Sequence, residues 1–467
     1  MENSPYLREE AGTNPPPAVD MAALAKSLRP VPRWSPVVLW WSIVAVLIAA
    51  CAAPHPVIVS IVWQFIGFFV WDREKRGKVF RRNLERSHCL ARSATVAPQD
   101  PWPKVTALVP ARNEQDCLKE AARSLASLPY PSLHVWFIDD HSTDETPRIL
   151  DVIQQEFSHV HVLHDPPVTE GWFGKSNALW QAFLEIDLNR SGEDEDKQWL
   201  LFADADVLFE PGILEQAITV AERDRLDFLT CMPRLITKTW AEQLLLPTGW
   251  RGIAQGADPD RLNDPKTFPV GIGAFMLVRY SSYKAFGGHR ALGQWHPEDT
   301  LMAAAIKEIG GRVGFAWSPD LLRVRFYHGY REVKKHTLRK TRIFFGDYIQ
   351  LPLTMMALRL STTLAAIPLM AAGVFPQLIA GRFDAVLTLL AFAGAVLYLE
   401  EVREYKGVEK IAEFHPSVPW LHPVSGVLRV WFAFSLLGQI LARKPMEWRG
   451  RKEFGGSNAA ATPPVKP

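Results

Sequence analysis

Residues 133–140 read LHVWFIDD and residues 199–206 read WLLFADAD, and these two stretches decide the fold. Each is an apolar run of strand length that ends directly in paired acids. Open α/β sheets bind their ligands beyond the carboxyl ends of the strands, so we expect the acids at a ligand-binding edge. The predicted fold class is α/β, with a mostly parallel sheet and helices on both faces.

The spacing of the second acid pair suggests a metal site. Side chains repeat every two residues along a strand, so Asp204 and Asp206 are expected on the same side. Two carboxylates on one side suit a hard divalent cation, which would in turn neutralise a diphosphate. We therefore take Asp204 and Asp206 as candidate ligands of Mg²⁺ or Mn²⁺, in chemistry that involves a nucleotide diphosphate.

Composition sets broad limits. The chain has 467 residues, a formal net charge of +2 and four cysteines. The cysteines lack C-x-x-C spacing, which argues against both a zinc site and a disulfide framework. No nucleic-acid partner is expected.

Apolar stretches flank the central part of the chain. Residues 36–53 and 57–71 are uncharged and close to the ~20 residues that a bilayer core requires. Residues 360–380 and 385–399 are further candidates, whereas residues 427–442 contain an arginine and favour an interfacial or re-entrant helix. Lys and Arg crowd after the first and the last of these regions, which predicts that both ends of the central domain face the cytoplasm. Plain solvated charge is the alternative explanation of the basic runs.

These patterns divide the chain into six parts. They are a disordered tail (1–33), an N-terminal membrane region (34–71), a basic cytoplasmic linker (72–102), an α/β domain (103–345), a C-terminal membrane region (346–442) and a basic, then disordered, tail (443–467).

The central domain alternates strands with helices, as βαβ units do. Strands are predicted at 105–110, 133–138, 159–163 and 199–203, and helices at 114–128, 144–157, 175–186 and 301–309.

Two loops leave the first two strands. Pro110, Ala111 and Glu114 stand where the first strand turns into a helix, which suits contact with a ligand, although an ordinary helix start capped by Asn113 is the alternative. After the second strand, a capping box formed by Ser142 and Glu145 would explain those two residues.

The capping box leaves Asp139 and Asp140 unexplained. A carboxylate at this edge can accept hydrogen bonds from a ribose hydroxyl or a base. Residues 171–179 (GWFGKSNAL) open a helix with glycines, and Lys175 adds a charge there; a helix start of this kind attracts phosphate, but the signal is weak by itself.

Further motifs follow in the second half of the domain. Residues 271–277 (GIGAFML) suit either close backbone packing near a sugar or a buried strand. Glu298 and Asp299 precede a helix; Asp299 is a candidate general base, and stabilisation by the helix dipole is the alternative. Arg339 and Arg342 lie before the membrane region, where they would hold a leaving diphosphate or contact anionic lipid.

The motifs, in this order, resemble the family 2 glycosyltransferases, which have the GT-A fold, over residues 103–345. The layout of the membrane segments resembles enzymes that glycosylate lipids, such as hopanoid-associated, ceramide and carotenoid-type glycosyltransferases. The resemblance implies nucleotide binding by Pro110, Ala111, Glu114 and Asp140, metal binding by Asp204 and Asp206, and a general base at Asp299. From the sequence patterns above, we add Asp139, Lys175, Asp204, Arg339 and Arg342 as candidates for nucleotide-sugar binding and Glu298 as a catalytic candidate.

One motif departs from the family pattern. Processive members carry Q-x-x-R-W, whereas residues 339–343 (RKTRI) lack the tryptophan, which favours a single transfer. We expect an inverting enzyme of the inner (cytoplasmic) membrane that moves one sugar from a nucleotide-diphosphate sugar to a lipid acceptor. A processive polysaccharide synthase and a non-catalytic scaffold that binds a nucleotide sugar are the alternatives.

Overall fold

The computed structural model describes residues 19–28, 33–93, 101–188, 194–444, 446–448 and 451–453. The disordered stretch predicted for the C-terminal tail, residues 454–467, lies outside the described residues, as do residues 1–18. Within the tail predicted at the N-terminus, the structure describes a helix, α1 (Met21–Ser27). Met21 and Ala25 are buried in the core of the central domain. The prediction of a disordered tail is therefore wrong for these residues.

A mixed sheet of nine strands, counted over the described residues, forms the centre of the domain. In chain order the strands are β1 (His88–Cys89), β2 (Lys104–Ala111), β3 (Leu133–Asp139), β4 (Val160–His164), β5 (Gln198–Phe202), β6 (Val207–Phe209), β7 (Phe228–Leu235), β8 (Met276–Arg279) and β9 (Val313–Val324). Their spatial order is β1-β9-β7-β8-β5-β2-β3-β4, and β6 pairs with β9. A separate pair, β10 (Met446–Trp448) and β11 (Arg451–Glu453), lies near the C-terminus.

Most neighbours in the sheet are parallel, which confirms the predicted α/β fold class. The exceptions are β8, which is antiparallel to β5 and β7, and β6, which is antiparallel to β9. Strand β2 is buried on both faces, as its largely apolar sequence indicates for a parallel sheet.

The register of the parallel strands brings the acid motifs to one edge. Ala111 at the end of β2 pairs with Asp139 at the end of β3. On the other side of β2, Leu108 pairs with Phe202, the last residue of β5. Asp204 follows two residues later, so the first loop and both acid motifs meet at the carboxyl edge.

Helices cover the sheet and form the membrane region. In chain order after α1 they are α2 (Ser35–Ala52), α3 (Pro56–Arg86), α4 (Leu118–Ala126), α5 (Thr146–Glu156), α6 (Gly174–Leu188), α7 (Ile213–Arg223), α8 (Trp240–Leu245), α9 (Pro247–Gly256), α10 (Tyr280–Ala285), α11 (Gly288–Leu292), α12 (Glu298–Glu308), α13 (Gly329–Phe345), α14 (Gln350–Ser361), α15 (Ala366–Ala380), α16 (Ala385–Lys406) and α17 (His422–Leu441). Short 3₁₀ helices occupy Glu195–Lys197 and Val418–Leu421.

Helix α4 begins four residues later than predicted. Residues 115–117 form a turn, and the helix starts at Leu118. The residues between β2 and α4 form a loop instead.

Five helical segments are long and apolar enough to cross a membrane, by length and composition, within the described part of the chain. They are Ser35–Ala52, Pro56–Arg86, Gln350–Ala380, Ala385–Lys406 and Val418–Leu441. The last segment contains α17, which favours a span over the predicted interfacial helix. The third contains α14 and α15, separated by a turn at residues 362–365.

Helix α3 joins the membrane region to the domain without a break. The predicted boundary after residue 71 falls inside this helix of 31 residues. At its far end, the Asn83 side chain donates to the carbonyl oxygens of Ala254 and Gln255, at 3.2 and 3.1 Å. The Trp317 indole donates to the Leu84 carbonyl at 3.1 Å. The end of α3 is thus fixed to the domain surface.

Candidate functional site

The two acids after β3 have different surroundings. Asp139 is almost fully buried; its Oδ1 accepts from the Ser142 amide at 3.1 Å, and its Oδ2 lies 3.2 Å from His164 Nδ1. Asp140 lies beside the end of β2, where its amide donates to the Ala111 carbonyl, and its Oδ2 is 3.6 Å from Arg112 Nη1. The contacts of Asp139 support a structural role, and its contact with a nucleotide stays a prediction.

Side chains tie the loop after β2 to the loop after β3. The Asn113 amide donates to Ser142 Oγ at 3.0 Å, and the Thr143 amide donates to Asn113 Oδ1 at 2.8 Å. The Glu114 amide donates to Thr146 Oγ1, also at 2.8 Å. These hydrogen bonds fix the loop that carries Pro110, Ala111 and Glu114 against the one that carries Asp140.

The capping predictions for this region are wrong. Asn113 and Ser142 bond to each other's loops and do not cap a helix. Glu145 stands at the N-cap position of α5 without a side-chain hydrogen bond to it, and Asp144 Oδ1 accepts from the Thr146 amide at 2.9 Å instead.

Lys175 joins two of the predicted acid motifs. Its Nζ lies 2.6 Å from Asp204 Oδ1 and 2.9 Å from Glu298 Oε1. Burial lowers the pKa of Lys175, but the negative charges of Asp204 and Glu298 outweigh burial and raise the pKa above its usual value. The first turn of α6, the loop after β5 and the start of α12 therefore meet at one ammonium group.

The adjacent acids at the start of α12 differ in protonation. Glu298 lies beside Lys175 and has its Oε2 at 3.0 Å from His296 Nδ1. Burial opposes ionisation, but the charges of Lys175 and His296 hold the pKa of Glu298 well below its usual value. For Asp299, burial and the charge of Glu298 raise the pKa to about 6. A carboxyl that titrates near neutral pH is suited to accept a proton during a reaction.

Asp206 carries a buried oxygen without a partner. Its Oδ1 makes no hydrogen bond in the described structure. Burial raises the pKa of Asp206, and the charges of Asp204 and Glu114 raise it further. Three carboxylates are thus close enough to repel one another, and a divalent cation would supply both the missing contact and the compensating charge.

The two carboxylates of Asp204 and Asp206 would supply only part of the coordination shell of such a cation, so the other ligands would come from a substrate and from water. Over the described residues, no group of three or more His, Cys, Asp or Glu side chains is arranged to hold a metal. Mg²⁺ commonly binds through one or two carboxylates and completes its shell with phosphate oxygens and water. Asp204 and Asp206 match that pattern.

Two glycines allow the close approach at this site. A Cβ on Gly273 would lie 3.0 Å from Asp204 Oδ2 and 3.1 Å from Lys175 Nζ. A Cβ on Gly271 would lie 2.0 Å from the Asp299 carbonyl oxygen. The GIG pattern indicated close packing, but the sequence did not reveal which residues it contacts. His296, which is paired with Glu298, was also missed, because nothing in the sequence distinguishes it.

Two cations of α13, Lys340 and Arg342, have different surroundings. The ammonium of Lys340 lies 5.3 Å from the Phe326 ring centroid, and its charge lowers the pKa of Asp299. Arg342 is buried; it forms a two-point ion pair with Asp347 at 2.6 and 2.7 Å and donates to the Lys444 carbonyl.

The contacts of Arg342 therefore tie α13 to the end of the membrane region and give no support to its predicted contact with a diphosphate. Arg339 also lies on α13, and its role stays a prediction.

Comparison with known proteins agrees with the motifs. Residues 106–287 match the family model described as "Glycosyl transferase family 2". The chain is 40% identical over 87 residues to a beta-monoglucosyldiacylglycerol synthase of Synechocystis sp. and 41% identical over 86 residues to the protein of the same name from Nostoc sp.. Each match covers 18% of this chain and 18% of the relative. The family-model match confirms the resemblance drawn from the motifs.

Among solved structures, the chain is similar to a mannosyltransferase from Pyrobaculum calidifontis in complex with GDP-Man and Mn²⁺. The sequence identity is 17%, the TM-score is 0.45, and the match covers 86% of this chain and 99% of the other.

Proposed function

Since residues 106–287 form a glycosyl transferase family 2 domain, we propose that this protein transfers one sugar from a nucleotide-diphosphate sugar to a hydroxyl group of a membrane lipid. The observation that carries the proposal is the cluster in which Lys175 bridges Asp204 and Glu298, with Asp299 beside it. It places a candidate diphosphate-binding motif next to a carboxyl whose pKa is about 6.

Asp299 acts as the general base. It accepts the proton of the acceptor hydroxyl while the hydroxyl oxygen forms a bond to the anomeric carbon, and the bond from that carbon to the diphosphate breaks. A single displacement without an enzyme nucleophile inverts the anomeric configuration. Glu298 is unsuited to this step because Lys175 and His296 hold it in the ionised, paired form.

The donor lies across the carboxyl edge of the sheet. The nucleotide contacts the loops that carry Pro110, Ala111, Glu114 and Asp140, which the hydrogen bonds of Asn113 and Ser142 hold together. Asp204 and Asp206 would hold Mg²⁺ or Mn²⁺, which would supply positive charge for the leaving diphosphate.

The acceptor is a lipid presented from the membrane. Five candidate spans flank the domain, and two relatives that are 40% and 41% identical over the matched residues are named beta-monoglucosyldiacylglycerol synthase. The Lys and Arg residues beside the spans favour the cytoplasmic face of the inner membrane for the domain. In that position the domain would have access both to membrane lipids and to cytoplasmic nucleotide sugars.

The test is a donor screen on the full chain in lipid nanodiscs. UDP-, GDP- and TDP-sugars are offered with Mg²⁺ or Mn²⁺, with and without diacylglycerol and a membrane lipid extract, and nucleotide diphosphate release is measured. The proposal expects release from one donor, dependent on metal and stimulated by lipid. The product is analysed by mass spectrometry and by NMR of the anomeric centre.

Each result has a defined meaning. A lipid product with one sugar and inverted configuration supports the proposal. Products with many sugars would replace it with the processive synthase. Absence of release from every donor, by protein that is folded and binds a nucleotide sugar, would replace it with the non-catalytic scaffold.

A further inference from the structure

A cavity of about 350 Å³ lies between the membrane helices, on the side of the domain. Helices α2, α3, α14, α16 and α17 all contribute to its lining. None of the catalytic or metal-site candidates, Asp204, Asp206, Glu298 and Asp299, lines it. The cavity is therefore separate from the candidate active site.

The lining of this cavity is amphiphilic. On α2 and α3, Trp40, Phe65 and Phe68 form an apolar wall, and Phe68 is 63% exposed. Arg359 of α14 and Arg429 of α17 also line the cavity. The apolar wall suits the acyl chains of a lipid, and the two arginines suit an anionic headgroup.

The cavity has an excess of positive charge, since four arginines and three carboxylates line it. Arg73 is paired with Glu401 and Glu404, and Arg76 is paired with Asp72 at 2.7 Å. Each carboxylate that lines the cavity is thus paired with one of these two arginines, and Glu404 also lies 3.3 Å from Arg251.

Arg359 and Arg429 have no carboxylate partner among the described residues. The Arg429 guanidinium donates to neutral oxygens, the Leu245 carbonyl and Thr248 Oγ1, both at 2.6 Å. The Arg359 side chain makes no hydrogen bond or ion pair in the described structure; the charges of Arg429 and Arg73 repel it, and that of Glu401 attracts it from beyond ion-pair distance. One bound anion would balance the charges of the side chains that line the cavity.

We propose that this cavity binds the headgroup of an anionic glycerophospholipid, with the phosphate between Arg359 and Arg429. Arginine forms two-point hydrogen bonds with phosphate oxygens. Basic pockets between membrane helices on the cytoplasmic side are suited to such headgroups. The apolar wall formed by Trp40, Phe65 and Phe68 contacts the first carbons of the acyl chains. The cavity is separate from the catalytic and metal-site candidates, and its proposal does not depend on the sugar transfer.

The first test measures binding directly. The full chain in neutral detergent is titrated with phosphatidylglycerol and observed by native mass spectrometry. Diacylglycerol with the same acyl chains is the phosphate-free comparison, and inorganic phosphate is added as a competitor. The proposal expects retention of phosphatidylglycerol, much weaker retention of diacylglycerol and no displacement by inorganic phosphate at equal concentration.

The variants are matched for charge. Arg359→Gln should weaken phosphatidylglycerol binding about ten- to a hundredfold, the range for loss of a charge-assisted hydrogen bond. Arg359→Lys should retain part of the affinity. Arg382→Gln, which removes an exposed arginine in the loop between α15 and α16, should bind like the wild type.

A second measurement does not depend on the folding of a variant. Phosphatidylglycerol with a photoreactive group near the headgroup end of an acyl chain should crosslink to Trp40, Phe65 or Phe68. Equal binding by Arg359→Gln and Arg382→Gln, crosslinks confined to other segments, or displacement by inorganic phosphate would each overturn the proposal.

Discussion

Lys175 Nζ lies 2.6 Å from Asp204 Oδ1, and this ion pair connects the first turn of α6 to the acid motif after β5. The same nitrogen lies 2.9 Å from Glu298 Oε1. The positive charge of Lys175 thus offsets the negative charges of two carboxylates. One belongs to Asp204, a candidate metal ligand, and the other to Glu298, which is adjacent to the candidate base Asp299. Loss of that ammonium leaves two carboxylates facing each other in a partly buried site.

Lys175→Met should lower both stability and activity. Removal of one partner from a buried ion pair costs up to about 3 kcal/mol, because the remaining charge is unpaired. The double variant Lys175→Met/Glu298→Gln should regain part of the lost stability, since one of the two repelling charges is gone. Thermal unfolding measures the cycle, with Lys119→Met on the exposed side of α4 as control. Additive effects of the two substitutions would contradict the coupling.

Asp299→Asn should reduce kcat by about 10²- to 10⁴-fold, the range for loss of a general base. Substrate affinity should change little, because the amide keeps the shape of the side chain. Steady-state kinetics of nucleotide diphosphate release measures the effect. The control is Glu308→Gln, which removes an exposed acid from the other end of the same helix. Full activity of Asp299→Asn would exclude Asp299 as the base.

The pH profile of kcat/KM should have an acidic limb near pH 6, the pKa of Asp299. The base must be ionised to accept a proton, so activity falls as the pH drops below that value. Glu298→Gln removes a negative charge that raises the pKa of Asp299, so the limb should move to lower pH in this variant. Rates measured from pH 4.5 to about 8.5 test the shift. An unmoved limb would show that another group titrates.

Asp206→Asn should raise the unfolding temperature of the metal-free protein at pH 7, on the order of 2–4 °C. The pKa of Asp206 is raised in the folded protein, so its contribution to stability is present at low pH and is lost as the pH rises through the folded pKa. Asparagine does not ionise, so the Asp206→Asn variant does not lose stability in this way as the pH rises.

The same substitution should abolish stabilisation by Mn²⁺, which in the wild type should be larger at pH 7 than at pH 5. Thermal unfolding with EDTA or Mn²⁺ measures both effects, and Asp116→Asn is the exposed control. Retained Mn²⁺ stabilisation in Asp206→Asn would remove Asp206 from the metal site.

Arg342→Gln should lower the free energy of unfolding by about 2 kcal/mol, because it breaks a charge-assisted pair with Asp347. The KM for the nucleotide sugar should not change. Arg339→Gln, three residues earlier on α13, provides the matched comparison, since it removes the same charge from the same helix. A higher donor KM in Arg342→Gln, with unchanged stability, would restore its predicted role at the diphosphate.

The features of the fold and the site that depend on a local sequence pattern could be predicted from the sequence. Apolar runs that end in acids predicted β3, β5 and the edge at which Asp140 and Asp204 lie, because parallel strands align their carboxyl ends. The pairing of distant segments was not predictable. Gly273 reaches Asp204 because β8 joins β5 in antiparallel orientation, and a single sequence carries no signal for that register. Arg342 looked like a ligand for diphosphate because its partner, Asp347, follows only after the helix ends.

Helix α3 has a mechanical consequence. With 31 residues at 1.5 Å each, the helix is about 46 Å long; it begins in the apolar region and ends on the domain surface. Its far end is held there by the hydrogen bonds of the Asn83 side chain to the Ala254 carbonyl and of the Trp317 indole to the Leu84 carbonyl. A continuous helix fixed in this way sets the distance and orientation of the domain relative to the candidate membrane helices. For the proposed lipid acceptor, the site would lie at a constant distance from the membrane, and the search for it would take place in two dimensions.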